Sequence, residues 1–173
     1  MARLLQEGRP PGLALWLADE PVRVTVTGSS MEPALRDGDG VEVVRATREE
    51  LRRGDLMVFE RAGEVTVHRF LGGKGDRFLE KGDAHALGAW RPWPEALGKV
   101  VAVWPAGAPS SPRPLPAPTR RSLGRRHLLR HLLTEWAGAL PGALLRRAAL
   151  GLLRRLPDRL WNGDSGIRTE TPP

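Results

Sequence analysis

Three residue types that together perform acyl transfer are spread along this chain: a serine, a histidine and an aspartate. Ser30 lies in Gly28-Ser29-Ser30-Met31-Glu32-Pro33, directly after an apolar–polar alternation over Val22–Thr27 that predicts a half-buried strand. A serine on a glycine-led turn at a strand end presents its hydroxyl. Backbone N–H groups of such a turn, from Gly28 and Ser29 onward, can point at a developing oxyanion. Met31 can anchor the turn by burying its side chain, and Pro33 stiffens the exit. A serine hydroxyl is a weak nucleophile until a base accepts its proton. His68, in Val65-Thr66-Val67-His68-Arg69-Phe70, is suited to that task, because an unperturbed imidazole titrates near ~6.5. It is in phase with Glu64 and Thr66, opposite an apolar face made by Val65 and Val67. Asp83, on the turn Lys81-Gly82-Asp83, can accept the second imidazole N–H and fix the tautomer. Each residue also has an ordinary reading: a Ser-rich turn, a packed strand histidine, a turn aspartate.

The elements that must position them read as short strands separated by Gly-Asp turns. Beyond Val22–Thr27, strands are predicted at 41–44, 56–59, 65–70, 77–80 and 99–104, with turns at Asp37-Gly38-Asp39-Gly40, Arg53-Gly54-Asp55, Ala62-Gly63 and Gly72–Asp76. This is a mainly β pattern with coiled or half-barrel sheets. Residues 1–20 are expected to be a helical or irregular lead-in, 21–104 the β domain and 105–122 a Pro-rich linker. Residues 123–161 then form a basic amphipathic helical segment, broken near Pro141-Gly142, and 162–173 a disordered tail.

The formal net charge is +7, unevenly spread. Residues 1–112 carry 15 cationic against 16 acidic side chains, whereas residues 113–160 carry 11 Arg against Glu135 and Asp158. The basic character therefore belongs to the helical segment. Arg among Leu and Trp suits an anionic membrane surface, or a helix pair packed on the β domain. Nucleic acid is disfavoured, since nothing resembles a helix-turn-helix reader. His127 and His131 are expected on a helix surface. The absence of cysteine excludes disulfides, thiolate nucleophiles and Cys-type zinc sites. No metal and no cofactor is called for. No signal peptide or membrane-spanning stretch is read, which makes cytoplasmic or peripheral membrane the expected location.

Taken together and in order, these motifs resemble the signal peptidase superfamily, the S24/S26 peptidases, which also holds the self-cleaving SOS and phage repressors. Gly-Ser-Ser-Met-Glu-Pro-Ala-Leu resembles the nucleophile box, in which the serine directly before the methionine attacks, hence Ser30 rather than Ser29. Arg53–Phe59 resembles the Gly-Asp strand. Val67-His68-Arg69 occupies the box where bacterial signal peptidases and the repressors carry a lysine, and Lys81-Gly82-Asp83 resembles the later Gly-Asp box. Leu97–Val101 resembles the closing strand. The histidine is similar to the endoplasmic-reticulum and archaeal type of signal peptidase. The resemblance covers roughly residues 22–104 and implies a signal-peptidase-like coiled antiparallel sheet, with Ser30 as nucleophile, His68 as base and Asp83 as orienting acid. Lys74, Lys81 and His85 are rival bases outside the base strand.

The implied activity is that of a serine endopeptidase cleaving a leader- or signal-like peptide through an acyl-enzyme on Ser30. The substrate is a peptide or precursor protein bound as an added strand. The alternatives are a catalytically silent peptide-binding module and a self-cleaving transcription regulator, which ordinarily needs a preceding DNA-binding domain and a lysine base. The distance from Ser30 hydroxyl to His68 imidazole discriminates: an activated pair lies within about 4 Å.

Overall fold

Alternation of valines with polar residues dictates the first part of the fold. In β2 (Val22–Thr27), Val22, Val24 and Val26 turn inward while Arg23 and Thr25 face out; in β3 (Gly40–Arg45), Val41 and Val43 do the same. A computed structural model describes residues 3–5, 20–61, 63–94, 97–107, 112–115 and 117–157. The remaining strands are β1 (Arg3–Leu5), β4 (Leu56–Arg61), β5 (Glu64–Lys74), β6 (Arg77–Lys81), β7 (Ala89–Pro92), β8 (Leu97–Trp104) and β9 (Arg113–Pro114). All pair antiparallel in one sheet of order β1-β2-β3-β8-β4-β5-β6-β7, with β9 on β8. The sheet curls until β1 also meets β5, Arg3 opposite Thr66. The chain is thus mainly β, a curled antiparallel sheet followed by two helices, as the sequence implied.

The curl creates two cores. Inward residues of β2, β3, β4, β5 and β8 gather with Met31 and Leu35 into one cluster. The alternate residues of β4, Met57 and Phe59, join Phe70, Phe78, Leu97, Ala46 and Leu51 in a second, on the other side of the sheet. The central hairpin β4–β5 is therefore buried on both faces. This corrects the picture of β5 as a strand with a single apolar face: residues 65–71 are all buried, Thr66 and His68 included. Phe78 fills the second core, its ring edge-on to Phe59 at 5.4 Å and tilted against Trp93 at 5.1 Å.

Helix α1 (Ala117–Ala139) and helix α2 (Ala143–Arg155) meet at the expected break, where Gly142 adopts φ +85°, a conformation that L side chains rarely take. α1 packs against β5, and α2 packs against α1. Two expectations need revision. Arg3–Leu5, assigned to a helical or irregular lead-in, form a strand, because the curl leaves β2 and β5 with a free edge that a third strand satisfies. Arg113–Pro114, assigned to the linker, pair with Ala102 and Val103. The rest of the lead-in, residues 6–19, and the tail from 158 onward lie outside the described residues. Among the described residues no helix is long and apolar enough to cross a membrane.

Phe78 gives a direct test of the second core. Phe78→Ala is expected to cost about 3–5 kcal/mol of stability, read as a lowered urea midpoint at unchanged slope.

Candidate active site

The turn after β2 is fixed at several points before Ser30 enters the account. The Glu32 N–H donates to the Ser29 carbonyl (3.1 Å) and the Leu35 N–H to the Met31 carbonyl (3.0 Å), while Met31 is wholly buried in the first core. Gly28 has φ +88° and donates its N–H to Asp37 Oδ1 at 2.7 Å. That donor is spoken for, so Gly28 supports the turn and does not face an oxyanion. Ser29 is exposed. Ser30 is nearly covered, and its carbonyl accepts the Ala84 N–H at 3.0 Å. The two turns approach so closely that a Cβ on Gly82 would lie 2.7 Å from the Ser30 carbonyl oxygen. Glycine at 82 is a steric requirement of that approach.

Ser30 Oγ lies 3.1 Å from His68 Nε2. The other ring nitrogen, His68 Nδ1, lies 2.6 Å from Glu80 Oε2, and Arg91 Nε donates to Glu80 Oε1 at 3.1 Å. With Nδ1–H donating to the carboxylate, Nε2 is left as an acceptor aimed at the serine hydroxyl. Burial pushes the Glu80 carboxyl up, but the hydrogen bond and charge of His68, with Arg91, outweigh it and hold the group below its ordinary value. Glu80 thus remains a carboxylate.

Asp83, expected as the orienting acid, is engaged elsewhere. Arg69 Nε donates to Asp83 Oδ1 at 2.7 Å and Nη2 to Oδ2 at 2.5 Å, a bidentate pair in which both side chains are buried. Arg69 Nη1 also donates to the Gly54 carbonyl at 2.6 Å, tying the two Gly-Asp turns to β5. Burial opposes the charge on Asp83, and Arg69 more than offsets it, so that this carboxyl too stays below its usual range.

The exchange of carboxylates has a geometric cause. The β5–β6 hairpin begins in regular register, Lys74 opposite Arg77, Gly73 opposite Phe78 and Gly72 opposite Leu79. Continued without interruption, that register would set Glu80 against Leu71 and Asp83 against His68. A bulge between Phe70 and Gly72 shifts the pairing by one, so Glu80 opposes Phe70 and Lys81 opposes Arg69. Glu80 then shares a face with Phe70 and His68, diagonal to the imidazole and within reach of a long side chain. Arg69 and Lys81 are turned to the opposite face. The paired glycines Gly72-Gly73 are the one sequence signal of this bulge.

The rival bases are placed as follows. Lys74 is exposed at the hairpin tip. Lys81 is fully buried on the opposite face, donating from Nζ to the Gly82 carbonyl (3.2 Å) and to His127 Nδ1 (2.9 Å). The His85 ring stands edge-on to that of His68 at 6.3 Å, and burial together with the nearby His68 lowers its basicity.

His127 and His131 are not on a helix surface, as expected from the sequence, but buried against the β domain. His131 Nδ1 accepts the Gly88 N–H at 3.1 Å. His127 Nε2 lies 3.3 Å from Asp83 Oδ1. Burial drives the His127 pKa down to about 3, with Lys81 and Arg69 adding to the effect against the pull of Asp83. Helix α1 thus closes over the charged cluster behind the Gly82-Asp83 turn. No group of side chains suited to a metal ion occurs among the described residues.

One curled antiparallel sheet thus brings the turn that carries Ser30 against the strand that carries His68. Residues 12–81 match the family model described as Peptidase S24-like, a stretch that contains Ser30, His68 and Glu80 and ends before Asp83. The match supports an S24/S26 peptidase-like assignment for the β domain. Comparison with the curated proteins and with the solved structures gave no match.

His127 makes acid stability a measurable property of the helix contact. Its folded pKa, about 3, lies below the unfolded value near 6.5. The unfolded chain therefore binds the extra proton, and stability falls as pH drops from about 6.5 toward 3. Between pH 7 and pH 5 this amounts to up to about 2 kcal/mol. Glu80 and Asp83, with depressed folded pKa values, keep their contribution throughout that window and lose it only in stronger acid. Urea unfolding at the two pH values is expected to show the loss in wild type and a flatter response in His127→Gln.

Proposed function

We propose that the protein is a serine endopeptidase in which Ser30 is the nucleophile, His68 the general base and Glu80 the orienting acid, in the place that the family resemblance assigns to Asp83. The observation that carries this is the continuous path Ser30 Oγ–His68 Nε2 and His68 Nδ1–Glu80 Oε2, at 3.1 and 2.6 Å. Both distances lie within hydrogen-bond reach, as an activated nucleophile requires. In the first step Ser30 Oγ attacks the scissile carbonyl while His68 Nε2 takes the hydroxyl proton. Glu80 stabilises the imidazolium that forms. His68 passes the proton to the leaving amine, the peptide bond breaks, and an ester remains on Ser30. A water molecule, deprotonated by His68, attacks the ester; the acid product leaves, and the proton returns to Ser30 Oγ.

The substrate class is a leader- or signal-like peptide bound in extended form. That part of the reading rests on the motif order and the family match. A catalytically silent module would not require an aligned Ser–His pair with a carboxylate behind it, so the geometry favours the enzyme. The tautomer is what Glu80 contributes, whereas Asp83 holds Arg69 and the turn.

Two substitutions separate these roles. With a serine-directed fluorophosphonate probe, wild type is expected to be labelled at Ser30, mapped by mass spectrometry, and His68→Ala to be unlabelled. Glu80→Gln is expected to slow labelling by about 10²–10⁴-fold, with a smaller loss of stability than Asp83→Asn because its partner Arg91 is partly exposed. Asp83→Asn is expected to lower the melting temperature first, because it strands a buried guanidinium. Wild type that resists labelling, or Glu80→Gln labelled at the wild-type rate, overturns the triad.

A further inference from the structure

Helices α1 and α2 present a surface that the β domain does not use. His127, His131 and Ala137 form the buried stripe of α1. The opposite side leaves Leu129, Leu132 and Trp136 more than half exposed, at helical spacing, with Trp136 at 63%. α2 has no buried residue at all: Leu144 is 82% exposed, Leu145 60% and Leu152 66%. Isolated exposed leucines are ordinary, but several on each of two adjoining helices are not. α2 alone is about 20 Å long at 1.5 Å per residue.

The charges around the patch indicate its occupant. Arg125 and Arg126 on α1 and the pairs Arg146-Arg147 and Arg154-Arg155 on α2 are exposed, and from 125 to 157 Glu135 is the single acidic residue. A second copy of the chain would bring two arginine-rich faces together. A nucleic acid would neutralise the arginines but leave the leucines in water. An anionic lipid surface satisfies both: headgroups meet the guanidinium groups while Leu and Trp enter the interfacial region. Tryptophan is also the side chain that favours that depth.

We propose that α1 and α2 form a docking surface for an anionic lipid membrane, lying in the plane of the interface and not crossing it. The surface is independent of the catalytic reading, since none of its residues touches Ser30, His68 or Glu80. It brings one consequence for the site: α1 binds lipid with one side and, through His127 and His131, holds the strand–turn region behind Ser30 with the other.

The test is sedimentation of the full chain with vesicles of phosphatidylcholine, with and without phosphatidylserine. Wild type is expected to pellet with the phosphatidylserine vesicles and to be released as salt is raised. Arg146→Glu with Arg147→Glu is expected to weaken binding roughly tenfold or more. Leu144→Glu with Leu152→Glu is expected to abolish it. Since Leu144, Arg146, Arg147 and Leu152 are all exposed, both variants should keep the wild-type melting temperature, which separates lost docking from lost folding. Equal recovery with both vesicle types overturns the proposal. So does a leucine double variant that binds as wild type, because the attraction is then one of charge alone. A dimer in size-exclusion chromatography that the leucine substitutions dissolve assigns the patch to self-association and also overturns it.

Discussion

A buried aspartate must be matched by a buried cation, and the pairing of Asp83 with Arg69 organises this molecule around that requirement. An unpaired carboxylate in this position would carry a large desolvation cost, so the turn at Gly82-Asp83 is drawn onto β5 wherever Arg69 stands. The same guanidinium holds the Gly54 carbonyl, which brings the start of β4 to the same place. Once the turn is seated, the Ala84 N–H reaches the Ser30 carbonyl, and the turn of Ser30 is joined to the neighbour of the strand that bears His68. Ser30, His68 and Glu80 are thus positioned by an ion pair that takes no part in the chemistry assigned to them.

The cluster also explains why a helix is found here. Lys81, turned inward by the same register as Arg69, needs an acceptor beyond the Gly82 carbonyl, and His127 supplies it. The imidazole can serve only while neutral, which is how its surroundings hold it. Helix α1 is therefore part of the β domain's polar accounting and not an appendage, although in sequence it follows a proline-rich stretch that reads as a boundary.

What was legible in the sequence follows the range of the interactions. The strands over 22–27, 41–44 and 56–59 stand out because alternation and Gly-Asp turns are local signals, and the break near Gly142 is equally local. Ser30 and His68 could be singled out by setting and motif. β1 carries no pattern of its own, because three residues acquire strand form only from partners on both sides. His127 and His131 looked like surface residues, since nothing nearby in sequence shows that Lys81 and Gly88 will be their partners. The acid behind His68 depends on a single-residue register shift, and spacing along the chain is blind to that; Gly72-Gly73 hinted at it without saying which way the strand would slip.

That shift makes the placement of Leu71 a determinant of which group does which job. Near the tip, around Gly75, an added residue would leave the pairing below it untouched. At Leu71 the chain has no such freedom. Drawn back into the ladder opposite Glu80, Leu71 would carry Asp83 opposite the imidazole, swing Glu80 to the other face and leave Arg69 to find another anion. Whether Leu71 sits in the bulge or in the ladder therefore selects which carboxylate stands behind His68 without any change at Ser30 or His68, and the sequence Glu80-Lys81-Gly82-Asp83 carries both acids needed for either arrangement.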